Sequence, residues 1–129
     1  VNKETFYTKD WKQIDTYVVD TFRSIIYVGL RPGYNSSTTF SIQDAEDICQ
    51  DFCNEVGLGL TLKENEFIYK NGYEAGVEIG LINYPRFPKS NQDILILSLE
   101  LASILKERFN QHRVSVVCTD KTYMIGELD

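Results

Sequence analysis

The stretch from Gly59 to Tyr84, GLTLKENEFIYKNGYEAGVEIGLINY, decides the fold. On either side of it apolar residues recur at helical spacing, but here the period falls to two, with Leu60, Leu62, Phe67, Tyr69, Val77, Ile79 and Leu81 as the alternating residues. Asn71-Gly72 lies near its middle, a dipeptide that accepts the left-handed backbone of tight hairpin turns. A long β-hairpin is predicted, with length enough for a bulge.

Outward from the hairpin the chain reads as helix and strand on both sides. Ser41-Ile-Gln-Asp44 opens like a capping box, Ala45, Ile48, Cys49, Phe52, Cys53 and Val56 form one stripe, and Gly57 stops the helix. Asp44, Glu46, Asp47, Asp51 and Glu55 make its solvated acidic face. Before it, SIIYVGLR from Ser24 to Arg31 is a short β-branched and aromatic strand closed by the turn formers RPGYNSS. After the hairpin comes GLINYPRFPKS, in which Pro85 and Pro88 stiffen the segment and push Tyr84 and Phe87 toward extended geometry. Ser90 to Asp93 then starts a second helix, with Ile94, Leu97, Leu101, Ile104, Leu105 and Phe109 facing a core, and Arg113 to Cys118 is a further strand.

That order is the split β-α-β-β-α-β pattern: an α+β fold, with an antiparallel sheet and two helices packed on one face. Residues 24–129 are expected to form one ligand-binding domain. Residues 1–23 precede it as an N-terminal helix or an assembly arm. Asp10 is a candidate N-cap, and Trp11, Ile14, Tyr17, Val18 and Phe22 follow at helical spacing, whereas DTYVVDTF has the β-branched content of a strand.

Bulk composition removes several function classes. The 129 residues, 43% hydrophobic and 25% charged, suit a single core. No apolar run is long enough to span a membrane and no secretory leader is legible, so a cytoplasmic protein is expected. A net charge of −6 argues against a duplex nucleic-acid partner but leaves room for a small anion held by a few arginines. Cys49, Cys53, Cys118 and the single His112 lack paired metal-ligand spacing, so neither a metal nor a cofactor is expected and the thiols read as core.

Catalytic patterns are sparse. There is no nucleophile elbow or phosphate loop, His112 sits where the second helix runs out, and Glu64 with Glu66 or Glu74 with Glu78 fall at the spacing of solvent-facing strand residues. What remains is a set at strand ends: Arg31 and Tyr34 after the first strand, Asn83, Arg86 and Phe87 after the hairpin, and Arg113 opening the last strand beside Ser115. Guanidinium forks suit phosphate oxygens, and ring faces suit a base.

YVGLRPGY, NEVGLGLTL, EFIYKNGYEAGVEIGLINYPRFPKS and FNQHRVSVVCTD together resemble the phage Thoeris anti-defence proteins of the first type, over about Ile26 to Asp120. The resemblance implies a homo-oligomer, dimer or higher, that binds a small cyclic nucleotide signal of the cyclic ADP-ribose class between subunits and holds it uncleaved, with separate sites for cyclic oligonucleotides in some members. It implies a sequestering protein in the host bacterial cytoplasm and not an enzyme. Arg31 and Arg113 would hold phosphate and Phe87 would stack on adenine, with Tyr34, Asn83 and Arg86 nearby. The rival expectations are a nucleotide-cleaving phosphodiesterase using Glu64, Glu66 or His112, and a protein-interaction module assembled through the N-terminal segment.

Overall fold

The computed structural model describes residues 1–33 and 39–128. In chain order its elements are β1 (Asn2–Tyr7), β2 (Gln13–Val18), β3 (Arg23–Gly29), α1 (Ile42–Val56), β4 (Thr61–Tyr69), β5 (Gly72–Ile82), α2 (Asn91–Arg108), β6 (Arg113–Cys118) and β7 (Thr122–Gly126). The main sheet runs β4-β5-β3-β6-β7 with every neighbouring pair antiparallel, and the two helices lie on one of its faces. From β3 to β6 this is the expected α+β order. β7, which extends the sheet beyond β6, is an addition that the short sequence Thr122–Gly126 does not announce. No helix among the described residues is long and apolar enough to cross a membrane.

Local chemistry sets the helix ends. The Ser41 hydroxyl accepts from the Asp44 amide at 3.2 Å while the Asp44 carboxylate accepts from the Ser41 amide at 2.8 Å, a reciprocal cap that satisfies two donors at the start of α1. Gly57 closes that helix at φ 71, donating its amide to the Cys53 carbonyl. Ser90 caps α2 by accepting from the Asp93 amide at 3.0 Å. Ser41→Ala is expected to lower unfolding free energy by about 1 kcal/mol, the usual worth of such a cap, measured by chemical denaturation.

Strand register decides which side chains meet the helices. Ile26, Val28, Val77, Ile79, Leu81, Val114 and Val116 point to the helical side and join Ile94, Leu101, Leu105 and Phe109 in the core. Buried Ser24 and Ser98 hydrogen-bond to each other across this layer, and Ser98 donates to the Ile94 carbonyl at 2.7 Å, so Ser24 supplies the proton between the two hydroxyls. The hairpin pairs continuously from Thr61↔Gly80 to Tyr69↔Gly72, with no bulge. Pairings Asn65↔Gly76, Phe67↔Glu74 and Tyr69↔Gly72 therefore put Phe67 and Tyr69 on the face opposite Leu62, away from the helices.

The N-terminal segment is not a helix. Residues 2–18 form an antiparallel hairpin of their own, with Phe6 opposite Ile14 and Lys3 opposite Tyr17, and it shares no ladder with the main sheet. The apolar spacing that suggests a helix also fits strands interrupted by a turn. Here Trp11 takes a φ of 61 and its amide donates to the Thr8 carbonyl at 2.9 Å, which ends any helical run. This corrects the helical alternative for residues 1–23 and leaves an arm.

Candidate functional site

On the face of the sheet without helices, two glycines stand side by side: Gly29 of β3 pairs with Gly76 of β5. A methyl group on Gly29 would meet the Glu74 and Gln111 side-chain oxygens at 2.7 and 2.8 Å, and one on Gly76 would meet the Phe67 ring at 2.2 Å. The missing side chains allow Phe67, Glu74 and Gln111 to lean over bare backbone. The result is a cavity of about 390 Å³ lined by Tyr27, Gly29, Gly33, Phe67, Tyr69, Glu74, Gln111, His112, Arg113 and Ser115. That volume lies within the range of small-molecule sites.

The polar atoms around this cavity are incompletely used. Glu74 Oε2, Arg31 Nε, Arg113 Nε and, beside Gly76, Asn65 Oδ1 are each buried and have no hydrogen-bond partner among the described residues. Arg31 is anchored beside the cavity: its Nη2 donates to the Tyr69 hydroxyl at 2.7 Å, and Gln111 Nε2 donates to its carbonyl at 2.8 Å. A buried polar group without a partner costs stability, and such groups gathered round one hollow are positioned to be completed by a ligand. A hollow of about 460 Å³ between α1 and β4, lined by Glu46, Cys49, Gln50, Cys53, Leu60 and Leu62 among others, holds none of these unpaired atoms.

The strand-end residues singled out in the sequence separate into two groups. Arg113 lines the cavity, and Arg31, which does not, is held beside it at the C-terminal end of β3 through the Tyr69 hydroxyl. Asn83, Arg86 and Phe87 follow β5 at the opposite end, beyond Arg23↔Ile82, roughly 20 Å away at about 3.3 Å per strand residue. They do not contribute to the cavity. Asn83 is spent on the backbone, donating to the Asp20 carbonyl at 3.1 Å and accepting from the Lys89 amide at 2.9 Å. Phe87 is 49% exposed, closes a tight turn with Tyr84, and lies under the Arg86 guanidinium at 5.3 Å. The paired prolines thus hold a turn, and Phe87 is not a core residue. Tyr34 lies outside the described residues.

Glu74, Phe67, Tyr69, Tyr27 and Gln111 are the residues that sequence reasoning missed. Glu74 looked like a solvent-facing strand carboxylate, and the rings looked like core. The legible signal was the glycine in each of two apolar strands, Gly29 and Gly76, since a strand glycine marks a close approach. Among the described residues no group of His, Cys, Asp or Glu could hold a metal ion. The thiols stand apart from the chemistry: burial, with Cys53 adding to it, pushes Cys49 up to about 12, and burial also raises Cys53 and Cys118.

The fold is similar to that of a phage SAM lyase. One solved structure, that lyase in its apo state, aligns with a TM-score of 0.66 and 23% identity, covering 83% of this chain and 90% of the other. A second, in complex with S-methyl-5'-thioadenosine, aligns with the same TM-score and coverage at 20% identity. No protein-family model and no curated protein matches. The expectation that this chain is not an enzyme is corrected by the match, because the architecture is one on which a lyase operates. The absence of a triad or metal motif from the sequence is no argument against catalysis on such a fold.

Proposed function

We propose that the protein cleaves S-adenosylmethionine in the cavity above Gly29 and Gly76. The observation that carries this reading is the cavity's complementary unsatisfied chemistry: a buried carboxylate oxygen on Glu74, a buried guanidinium donor on Arg113, and the rings of Tyr27, Phe67 and Tyr69 around them. Those groups match a substrate with an adenine face, hydroxyl or ammonium donors, and a carboxylate. The similarity in fold to a phage SAM lyase supports the choice of this ligand.

In this reading the rings hold the adenine, Glu74 accepts hydrogen bonds from the substrate's ammonium or hydroxyl groups, and Arg113 orients its carboxylate. The bond between the sulfonium sulfur and Cγ of the amino-acid part breaks, and its electron pair goes to sulfur. The sulfur leaves as the neutral thioether S-methyl-5'-thioadenosine. Cγ is satisfied by the substrate's own carboxylate oxygen closing a lactone, so atoms and charge balance without water or a metal. Opposite charges are consumed as that ring forms, and a site that excludes water favours the step.

Incubation with S-adenosylmethionine, followed by chromatography, tests the assignment. Formation of S-methyl-5'-thioadenosine is expected, with Arg113→Ala slower by roughly 10- to 100-fold, the worth of a charge-assisted hydrogen bond. Recovery of intact S-adenosylmethionine would reject the reading. Cyclic ADP-ribose retained by the protein and released unchanged on heating would return the site to signal sequestration.

A further inference from the structure

We infer that Gln111 is a specificity-determining residue which, together with Glu74, reads the free α-ammonium group of the substrate over Gly29. This rests on the reading of the cavity as an S-adenosylmethionine site and assigns one end of that substrate to one part of the floor. The Gln111 amide has a fixed orientation. Its Nε2 donates to the Arg31 carbonyl at 2.8 Å and to the Phe109 carbonyl at 3.2 Å, and because both partners are acceptors, the nitrogen and oxygen of the amide cannot change places. Oε1 is thereby turned toward Gly29, where it lies 2.8 Å from the point a methyl group would occupy, and Glu74 Oε2 lies 2.7 Å from the same point. Glu74 Oε2 is buried and has no partner among the described residues. Two acceptors, one of them a carboxylate, thus converge on one point of the cavity lining. An ammonium suits that point, since it can donate to both oxygens at once and offset the carboxylate charge.

The neighbouring strand decides between an ammonium and a ribose diol. Tyr27 of β3 pairs with Ser115 of β6, so continuing that register by two residues sets Arg113 beside Gly29. Both line the cavity, and Arg113 Nε is a buried donor without a partner among the described residues. Adjacent strands lie about 4.8 Å apart, which brings a guanidinium and the two acceptors within reach of one α-amino acid, whose ammonium and carboxylate are joined through a single carbon. A diol would use the acceptors and leave the guanidinium without a carboxylate. Phe67 and Tyr69 stand two strands away from β3, on β4, so the adenine and the amino-acid end have separate places. Gly29 keeps its place free of side chain for this reason: its φ is not left-handed, and what a methyl group there would displace is the two acceptor oxygens.

Calorimetry on the full chain with S-adenosylhomocysteine tests this, because that probe has the same amino-acid end and a neutral sulfur that does not leave. Its analogue with hydrogen in place of the α-amino group is expected to bind the native protein roughly 10- to 100-fold more weakly. Gln111→Leu should shrink that ratio severalfold while S-methyl-5'-thioadenosine, which lacks the amino-acid end, binds as before. Gly29→Ala, which pushes both oxygens aside, should bring the two ligands to equal affinity. A native protein that binds both ligands equally would overturn the inference. So would variants that weaken S-methyl-5'-thioadenosine as much as S-adenosylhomocysteine, since Gln111 would then read the ribose or merely hold the wall. Cleavage of S-adenosylmethionine is scored separately. Product with equal affinities rejects the ammonium clamp and keeps the lyase, whereas discrimination without product keeps the clamp and rejects the lyase. Failure to bind either S-adenosylhomocysteine or S-methyl-5'-thioadenosine overturns both.

Discussion

Glu74→Gln should leave the protein folded and remove most of its activity toward S-adenosylmethionine. The substitution keeps the shape of the side chain and removes its charge, so Gln can still lean over Gly29 beside Gln111. What is lost is a buried acceptor that has no partner among the described residues and is available to a ligand in the cavity. A hydrogen bond involving a charged group is worth about 1.5–3 kcal/mol, so kcat/KM should fall by roughly 10- to 150-fold. The melting temperature of the ligand-free variant should be unchanged or slightly higher, since a buried carboxylate oxygen without a partner is a cost that the amide relieves in part. Equal activity of the two proteins would show that Glu74 does not face the substrate.

The second large effect is on stability. Phe109→Ala should cost about 3–5 kcal/mol, the range for emptying a buried aromatic site. Phe109 is fully buried at the end of α2, its ring stacks on Phe40 at 4.8 Å, and its amide donates to the Leu105 carbonyl at 2.9 Å. It also positions the cavity wall, because the Gln111 side chain donates to the Phe109 carbonyl at 3.2 Å as well as to Arg31. The variant should therefore lose activity more steeply with temperature than Glu74→Gln does. Urea denaturation gives the stability change, and a loss below 1 kcal/mol would mean that the ring's place can be refilled by its neighbours.

The fold was legible where the sequence repeats a period strongly. The stripe Ala45, Ile48, Cys49, Phe52 is buried as expected, and the strand-helix order from Ser24 to Cys118 follows from it. The site was legible in part. Arg31 and Arg113 were identified as strand-end cations; Arg113 lines the cavity and Arg31 stands behind its Tyr69 wall. Asn83, Arg86 and Phe87 were grouped with them because strand ends look alike in one dimension, and only the antiparallel pairing of β3 with β5 shows that these ends point in opposite directions. Phe67 and Tyr69 misled because period-two spacing says that two faces exist without saying which is covered. For residues 1–23 the sequence left a helix and an arm both open, because the left-handed backbone at Trp11 that decides between them has no signature in the sequence.

The paired glycines make the floor of the cavity main chain, and that gives occupancy a direct reporter. Where side chains line a site, a ligand touches atoms that the ladder beneath does not feel. At Gly29 and Gly76 the amides of β3 and β5 are roofed by whatever fills the hollow. Their exchange with deuterated solvent should slow when the hollow is filled and quicken when it empties, while the amides under Ile25 and Val117 keep their rate. Residence time at this site can therefore be read from two backbone positions, without a labelled ligand or a coupled assay.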